Sequence, residues 1–199
     1  MTRHTVFVTG ATGYVGRALI PVLIARGHRV RALARDASAR RVPPGAEIIR
    51  GNALDSSTFA SAIAPADTLA HLIGTPHPSP AKAARFQAVD LVSVDAMLSA
   101  ASRFGIRHVI YVSVAQPAPV MQAYIVVRQA AEARIRASGI PATIVRTWYV
   151  LAWASLALYP GPVLCRAPDA AADTGGRLAL RSYDARSEGA CDRRRRRAP

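Results

Sequence analysis

Cysteine is nearly absent. The 199 residues hold two, Cys165 and Cys191, too few for a disulfide scaffold and without the C-x-x-C spacing of a metal site. Histidine is scarce as well, and His71 and His77, on either side of "LIGTP", lack a cluster of ligating partners. No run approaches the roughly 18–20 apolar residues of a membrane span. The longest, Trp148 to Tyr159, stops at Pro160, and "MTRH" leads into a strand-like run without a leader pattern. These absences imply a cytoplasmic chain with no membrane partner. Lysine occurs once, at Lys82, among 26 basic residues, so the formal charge of +14 is an arginine charge. It is spread out, with 17 basic against 7 acidic residues up to Val150 and 9 against 5 beyond, and its one block is Arg193 to Arg197. With aromatics at 6% and no basic stripe interleaved with them, the arginines read as solvated charge, and no specific nucleic-acid partner is expected.

What is present is a regular alternation. Apolar, β-branched runs at 5–10, 28–35, 46–52, 67–74, 107–115 and 141–147 predict strands. Amphipathic stretches at 13–27, 56–64, 86–105 and 123–139 predict helices, the second with serine caps, and a short helix or turn follows residue 35. Pro21 predicts a kink in the first. Strand and crossover helix in repetition imply an α/β fold, a doubly wound parallel sheet with helices on both faces. The sheet domain is expected over 1–150. Residues 151–199 form an atypical C-terminal segment. From Arg166 onward there is no period of 2 or 3.6 and little large aliphatic content, so that region is expected to be largely disordered. Its alanine- and arginine-rich texture suggests a truncated or frameshifted C-terminal lobe.

"TVFVTGATGYVGRALI" places Gly10, Gly13 and Gly16 between the first strand and the first helix. There Gly10 permits a tight turn, Gly13 a close backbone approach to a pyrophosphate, and Gly16 close packing of helix on strand. Ala11, Thr12, Tyr14, Val15 and Arg17 complete a phosphate cradle at a helix amino end. The spacing G-x-x-G-x-x-G resembles the loop of the extended and atypical short-chain dehydrogenase/reductase superfamily, with the NmrA-like and epimerase-like members the nearest in pattern. The resemblance covers about residues 5 to 150 and implies a Rossmann fold and a bound dinucleotide. In "RGNALD" it implies an adenine contact from Asn52 and Ala53, with asparagine where the family usually has aspartate. In "HLIG" it implies that Leu72 and Gly74 run beside the cofactor riboses. At the end of the second strand stands Arg35, where an NAD-preferring protein has an acid. With Arg17 and Arg31 it favours NADP over NAD, and Asp36 keeps the other choice open.

The same resemblance implies a catalytic tyrosine and lysine at Y-x-x-x-K and a serine from the fifth strand. The chain has Tyr124, Arg128 in place of the lysine, and Ser113 one residue before the usual serine position, where Val114 stands. Two readings stay open: a working Tyr124/Arg128 pair, or a packed tyrosine beside a solvated arginine. His108, Glu132 and Arg134 receive no role. The expected function is an NADPH-dependent oxidoreductase or epimerase acting on an unidentified small molecule, with a homodimer as a compatible assembly. The alternative is a non-catalytic dinucleotide-binding redox sensor.

Overall fold

Alternate residues of β1 (Thr5–Thr9) point to opposite sides of the sheet, and each side has its own cover. The computed structural model describes residues 2–116 and 121–147, so the expectations for 151–199 lie outside the described residues. Val6 and Val8, with Val30, Ala32 and Ala70, pack beneath Ile20 of helix α1 (Tyr14–Ala25). Phe7, on the other side, joins Leu33, Leu69, Val109 and Tyr111 against Val94, Met97 and Ala100 of α3 (Val92–Arg103) and Ala131 and Ile135 of α4 (Gln122–Ala137). Each large apolar side chain so enclosed contributes about 1.5–3 kcal/mol, which is why strands covered on both sides read as nearly continuous apolar runs.

β2 (Arg29–Ala34), β3 (Glu47–Arg50), β4 (Thr68–His71), β5 (His108–Val114) and β6 (Ala142–Thr147) complete a six-stranded sheet in the order β3-β2-β1-β4-β5-β6. Every pairing is parallel. This is the Rossmann arrangement, and its order reverses between β1 and β4. A ligand crevice belongs there, outside the carboxyl ends of the strands. All six expected strands are present. Helix α1 runs on through Pro21 to Ala25, although the proline offers no N–H to the Arg17 carbonyl one turn earlier.

The helix expected over 56–64 is absent. Two short 3-10 turns, Ser56–Thr58 and Ala60–Ala62, replace it. Asp55 caps the first by accepting the Ser57 N–H at 3.0 Å and the Ser57 hydroxyl at 2.7 Å. Thr58 turns its hydroxyl back on the Asp55 and Asn52 carbonyls. Short polar side chains bonded to their own backbone outcompete a regular helix, while buried Phe59 and Ile63 pin the segment to the core.

The long helix starts earlier and is less regular than expected. α2 (Ala83–Arg85) passes without a break into a π-helical stretch, Phe86–Leu91, and then into α3. The π stretch buries Phe86 and Asp90 together. Such wide turns recur at functional sites, and this one sits beside the ends of β4 and β5. No helix among the described residues is long and apolar enough to cross a membrane.

Candidate functional site

The loop from Gly10 to Gly16 is shaped by close backbone approach. Gly10 has φ +75°, and a Cβ on it would lie 2.9 Å from the Leu72 carbonyl carbon at the end of β4. The Gly13 N–H donates to the Gly10 carbonyl at 3.0 Å. A Cβ on Gly16 would stand 2.5 Å from the Gly10 oxygen, so α1 presses directly on the loop. Among the described residues, no side chain is bonded to the free amino-end N–H groups of helix α1, its first turn has no acid, and Arg17 is exposed nearby. A cation at a helix amino end opposes the helix dipole and is best offset by an anion in the same place. Backbone shape, uncapped N–H groups and Arg17 together fit a dinucleotide pyrophosphate. Ala11 is buried under the loop, and Thr12, Tyr14 and Val15 line its turn into the helix.

On the adenosine side, Arg35 follows β2, exposed and making no side-chain hydrogen bond among the described residues. Asp36, the competing acid, is bonded to Arg50. Arg31 does not join them. Its guanidinium is bidentate on Glu47 and bonded to the carbonyls of Ala62 and Ala64, because it lies earlier on the strand and turns toward the 3-10 segment. Asn52 closes a local turn by accepting the Leu54 N–H at 3.1 Å, which leaves its amide N–H groups for a ring nitrogen, and Ala53 packs against the core. Leu72 extends β4 by donating its N–H to the Thr9 carbonyl at 3.1 Å.

Gly74 has a second reason to be glycine. A Cβ there would fall on the Arg128 guanidinium. Arg128 is not solvated. It is 3% exposed and forms an ion pair with buried Asp90 at 2.7 Å. It also donates to the Tyr111 hydroxyl at 2.9 Å and the Val112 carbonyl at 3.1 Å, and reaches the Ile73 carbonyl at 3.4 Å. Asp90 accepts in turn from the Thr75 N–H at 3.0 Å and the Thr75 hydroxyl at 2.6 Å. One guanidinium therefore ties the ends of β4 and β5 to the helix carrying Asp90. Tyr124, one turn before Arg128, is half-buried; the guanidinium carbon lies 4.9 Å from its ring centroid, and Phe86 meets it edge-on at 5.0 Å. Burial pushes the Tyr124 phenol above its ordinary value, against the pull of Arg128.

Ser113 shares this face of the sheet but is engaged by another side chain. Its hydroxyl donates to Glu132 at 2.7 Å, a carboxylate that also receives Arg146 at 3.0 Å and Arg136 at 2.9 Å. Ser113 is buried on the side of β5 that carries Tyr111, and Val114 lies on the other, as the strand alternation requires. The Arg146 hydrogen bonds, with those from Ser113 and Arg136, hold Glu132 down from 4.5 to about 2. Its folded value is depressed, so its contribution is complete above pH 4.5 and is lost as pH falls from there toward 2. That contribution is about 3 kcal/mol. Glu132→Gln is expected to be less stable than the wild type by that amount at pH 7 and by clearly less at pH 3, as urea denaturation of both proteins at the two pH values would show.

Sequence reasoning missed Asp90, Thr75, Tyr111, Glu132 and His71. His71 sits fully buried between the Thr9 hydroxyl at 2.8 Å and the Ser93 hydroxyl at 3.2 Å, stacked on Tyr111; burial lowers it to about 3, so it is neutral. A signal for Asp90 existed: it is a lone acid on the stripe Phe86, Asp90, Val94, Met97 that otherwise faces the core.

Residues 10–153 match the family model described as NAD(P)H-binding. Among curated proteins, the chain is 32% identical over 114 residues to a 3 beta-hydroxysteroid dehydrogenase/Delta 5-->4-isomerase of Mycobacterium tuberculosis, covering 54% of this chain and 31% of that one. It is 35% identical over 109 residues to a 4-hydroxy-2-methyl-3-oxo-4-farnesyl-3,4-dihydroquinoline-1-oxide ketoreductase of Stigmatella aurantiaca, covering 54% and 32%. Among solved structures, the Bordetella bronchiseptica enzyme WbmH in complex with NAD+ superposes with a TM-score of 0.64 at 19% identity, over 75% of this chain and 57% of that one. The protein gox2253 gives 0.61 at 29% identity, over 72% and 51%. The chain spans about a third of the length of these curated relatives.

Proposed function

We propose, from the premise that the chain belongs to the NAD(P)H-binding family, that it is an NADPH-dependent oxidoreductase of the short-chain dehydrogenase/reductase type, acting on a carbonyl or its alcohol in a small molecule. The observation that carries the cofactor half is the uncapped amino end of α1, pressed against Gly10 through Gly16 and flanked by exposed Arg17. The preference for NADPH rests on Arg35, unengaged at the end of β2 while Asp36 is bonded to Arg50. A planar guanidinium matches a phosphate at the ribose 2′ position. The nicotinamide supplies or accepts hydride when bound. The protein's part is to hold the pyrophosphate on the α1 amino end and to move a proton at Tyr124 Oη. The names of the curated relatives, a hydroxysteroid dehydrogenase and a ketoreductase, support the carbonyl and alcohol pair.

Initial rates with a panel of carbonyl substrates, run with NADPH and with NADH, test this reading. Turnover with NADPH favoured is expected, and Tyr124→Phe should lower kcat by about 100-fold or more while leaving cofactor binding intact. Equal or tighter binding of NADH removes the Arg35 argument. Tight cofactor binding without hydride transfer to any substrate points instead to a dinucleotide holder.

A further inference from the structure

One irregular turn of helix grips both members of the Tyr124/Arg128 pair. The π-helical stretch Phe86–Leu91 buries Phe86, whose ring meets Tyr124 edge-on, and Asp90, whose carboxylate holds Arg128 at 2.7 Å. A cation one helical turn from a tyrosine and over its ring would ordinarily draw the phenol toward phenolate. Here the cation meets its counter-charge inside the core, so Tyr124 faces an ion pair. The other ionisable groups around the pair are uncharged or engaged by counter-charges of their own. Tyr111, from β5, receives an Arg128 N–H, and its own burial holds it protonated. His71, from β4, is neutral. Glu132, one turn further along α4, is engaged by Arg146 and Arg136.

We propose that Asp90 is a positioning residue of this site. By neutralising Arg128 from within the core it keeps Tyr124 a protonated phenol, so that Tyr124 gives a proton to a carbonyl oxygen rather than taking one from an alcohol. The proton leaves Tyr124 Oη for the substrate oxygen and is replaced from water. This rests on the role given to Tyr124 above and adds the direction in which the site is poised. Four observations hold the arrangement in place. Asp90 is completely buried, Thr75 donates to it twice, Gly74 leaves room for the guanidinium, and Arg128 bonds to the ends of both adjacent strands. Asp90 also raises the Tyr124 phenol, in opposition to Arg128.

The test is a pH titration of the full chain labelled with 13C at tyrosine Cζ, read by NMR, with the Tyr124 resonance identified by its loss in Tyr124→Phe. In the wild type its midpoint is expected above the ordinary value of about 10. In Asp90→Asn, which keeps shape and an acceptor oxygen but removes the charge, the midpoint is expected to fall by about one pH unit. In Asp90→Asn combined with Arg128→Met it is expected to return to the wild-type value, since both members of the ion pair are then gone. A wild-type midpoint below 10, or an unchanged midpoint in folded Asp90→Asn, overturns the proposal. If Asp90→Asn does not fold, the double variant decides: a midpoint at the wild-type value means the two charges cancel at Tyr124, and a rise of about a pH unit or more means Arg128 acts unneutralised and overturns the proposal. Absence of turnover with any carbonyl defeats the functional reading and leaves the titration unaffected, so the two failures are distinguishable.

Discussion

Asp90→Ala is expected to cost the fold about 3–5 kcal/mol, the largest stability loss of any single substitution considered, because it strands a charge in the core. In the native chain the Asp90 and Arg128 side chains are 0% and 4% exposed, and the carboxylate is the counter-charge the guanidinium touches. Removing it leaves Arg128 bonded to one phenol hydroxyl and two main-chain carbonyls, and it takes both acceptors from Thr75. The guanidinium has little reserve, since its Nε is already buried without a partner among the described residues. Against a total stability of about 5–15 kcal/mol for an ordinary domain, such a loss brings the variant near its folding limit. Urea denaturation of the full chain would measure it. Replacing both partners, Asp90→Leu with Arg128→Met, is expected to cost less than Asp90→Ala alone, since no uncompensated charge then remains. A cost below about 1 kcal/mol for Asp90→Ala would mean that water reaches Arg128 and that the buried ion pair is not what closes this end of the sheet.

Gly16→Ala is expected to weaken NADPH binding by about 100-fold or more, equivalent to about 2.7 kcal/mol, with little damage to the sheet. The added Cβ would stand 2.5 Å from the Gly10 oxygen and 2.7 Å from the Ala11 Cα. Both are backbone atoms with no flexible end to yield, so loop and helix must separate. That separation moves the α1 amino end away from the loop that completes the phosphate cradle. Gly27→Ala is the control. Gly27 has φ +82° and nothing within 4 Å of an added Cβ, so it carries the conformational cost of alanine, about 1–2 kcal/mol, without touching the cradle. Fluorescence titration of NADPH against both variants separates the effects. Unchanged affinity in Gly16→Ala would show that the loop does not hold the phosphates.

Much of the architecture was legible in the sequence because it depends on near neighbours. Strand and helix periods, the glycine loop between β1 and α1, and the parallel sheet they imply arise from residues within a few positions of one another. Where two local preferences competed, pattern misled. Residues 56–64 have an amphipathic spacing, yet Asp55, Ser57 and Thr58 bond to their own turn and the segment stays 3-10. Arg31 lies four residues before Arg35 in the same expected strand, and only the fold shows that it is spent on Glu47 and the carbonyls of Ala62 and Ala64.

The doubly wound sheet and the phosphate cradle follow from local sequence, since backbone propensity and glycine geometry act over a few residues. The partners of the charged and polar side chains behind that cradle depend on how distant segments pack. Arg128 could have pointed to solvent, to a ribose or into the core, and its spacing from Tyr124 is the same in each case. It goes inward because Asp90, distant in the chain, is carried to it by a π-helical turn, and because Gly74 leaves it room. Ser113 likewise meets Glu132 instead of Tyr124, because α4 carries that buried carboxylate two turns beyond Tyr124, within reach of β5. A buried charge takes the partner that packing brings within reach, and packing depends on the whole fold.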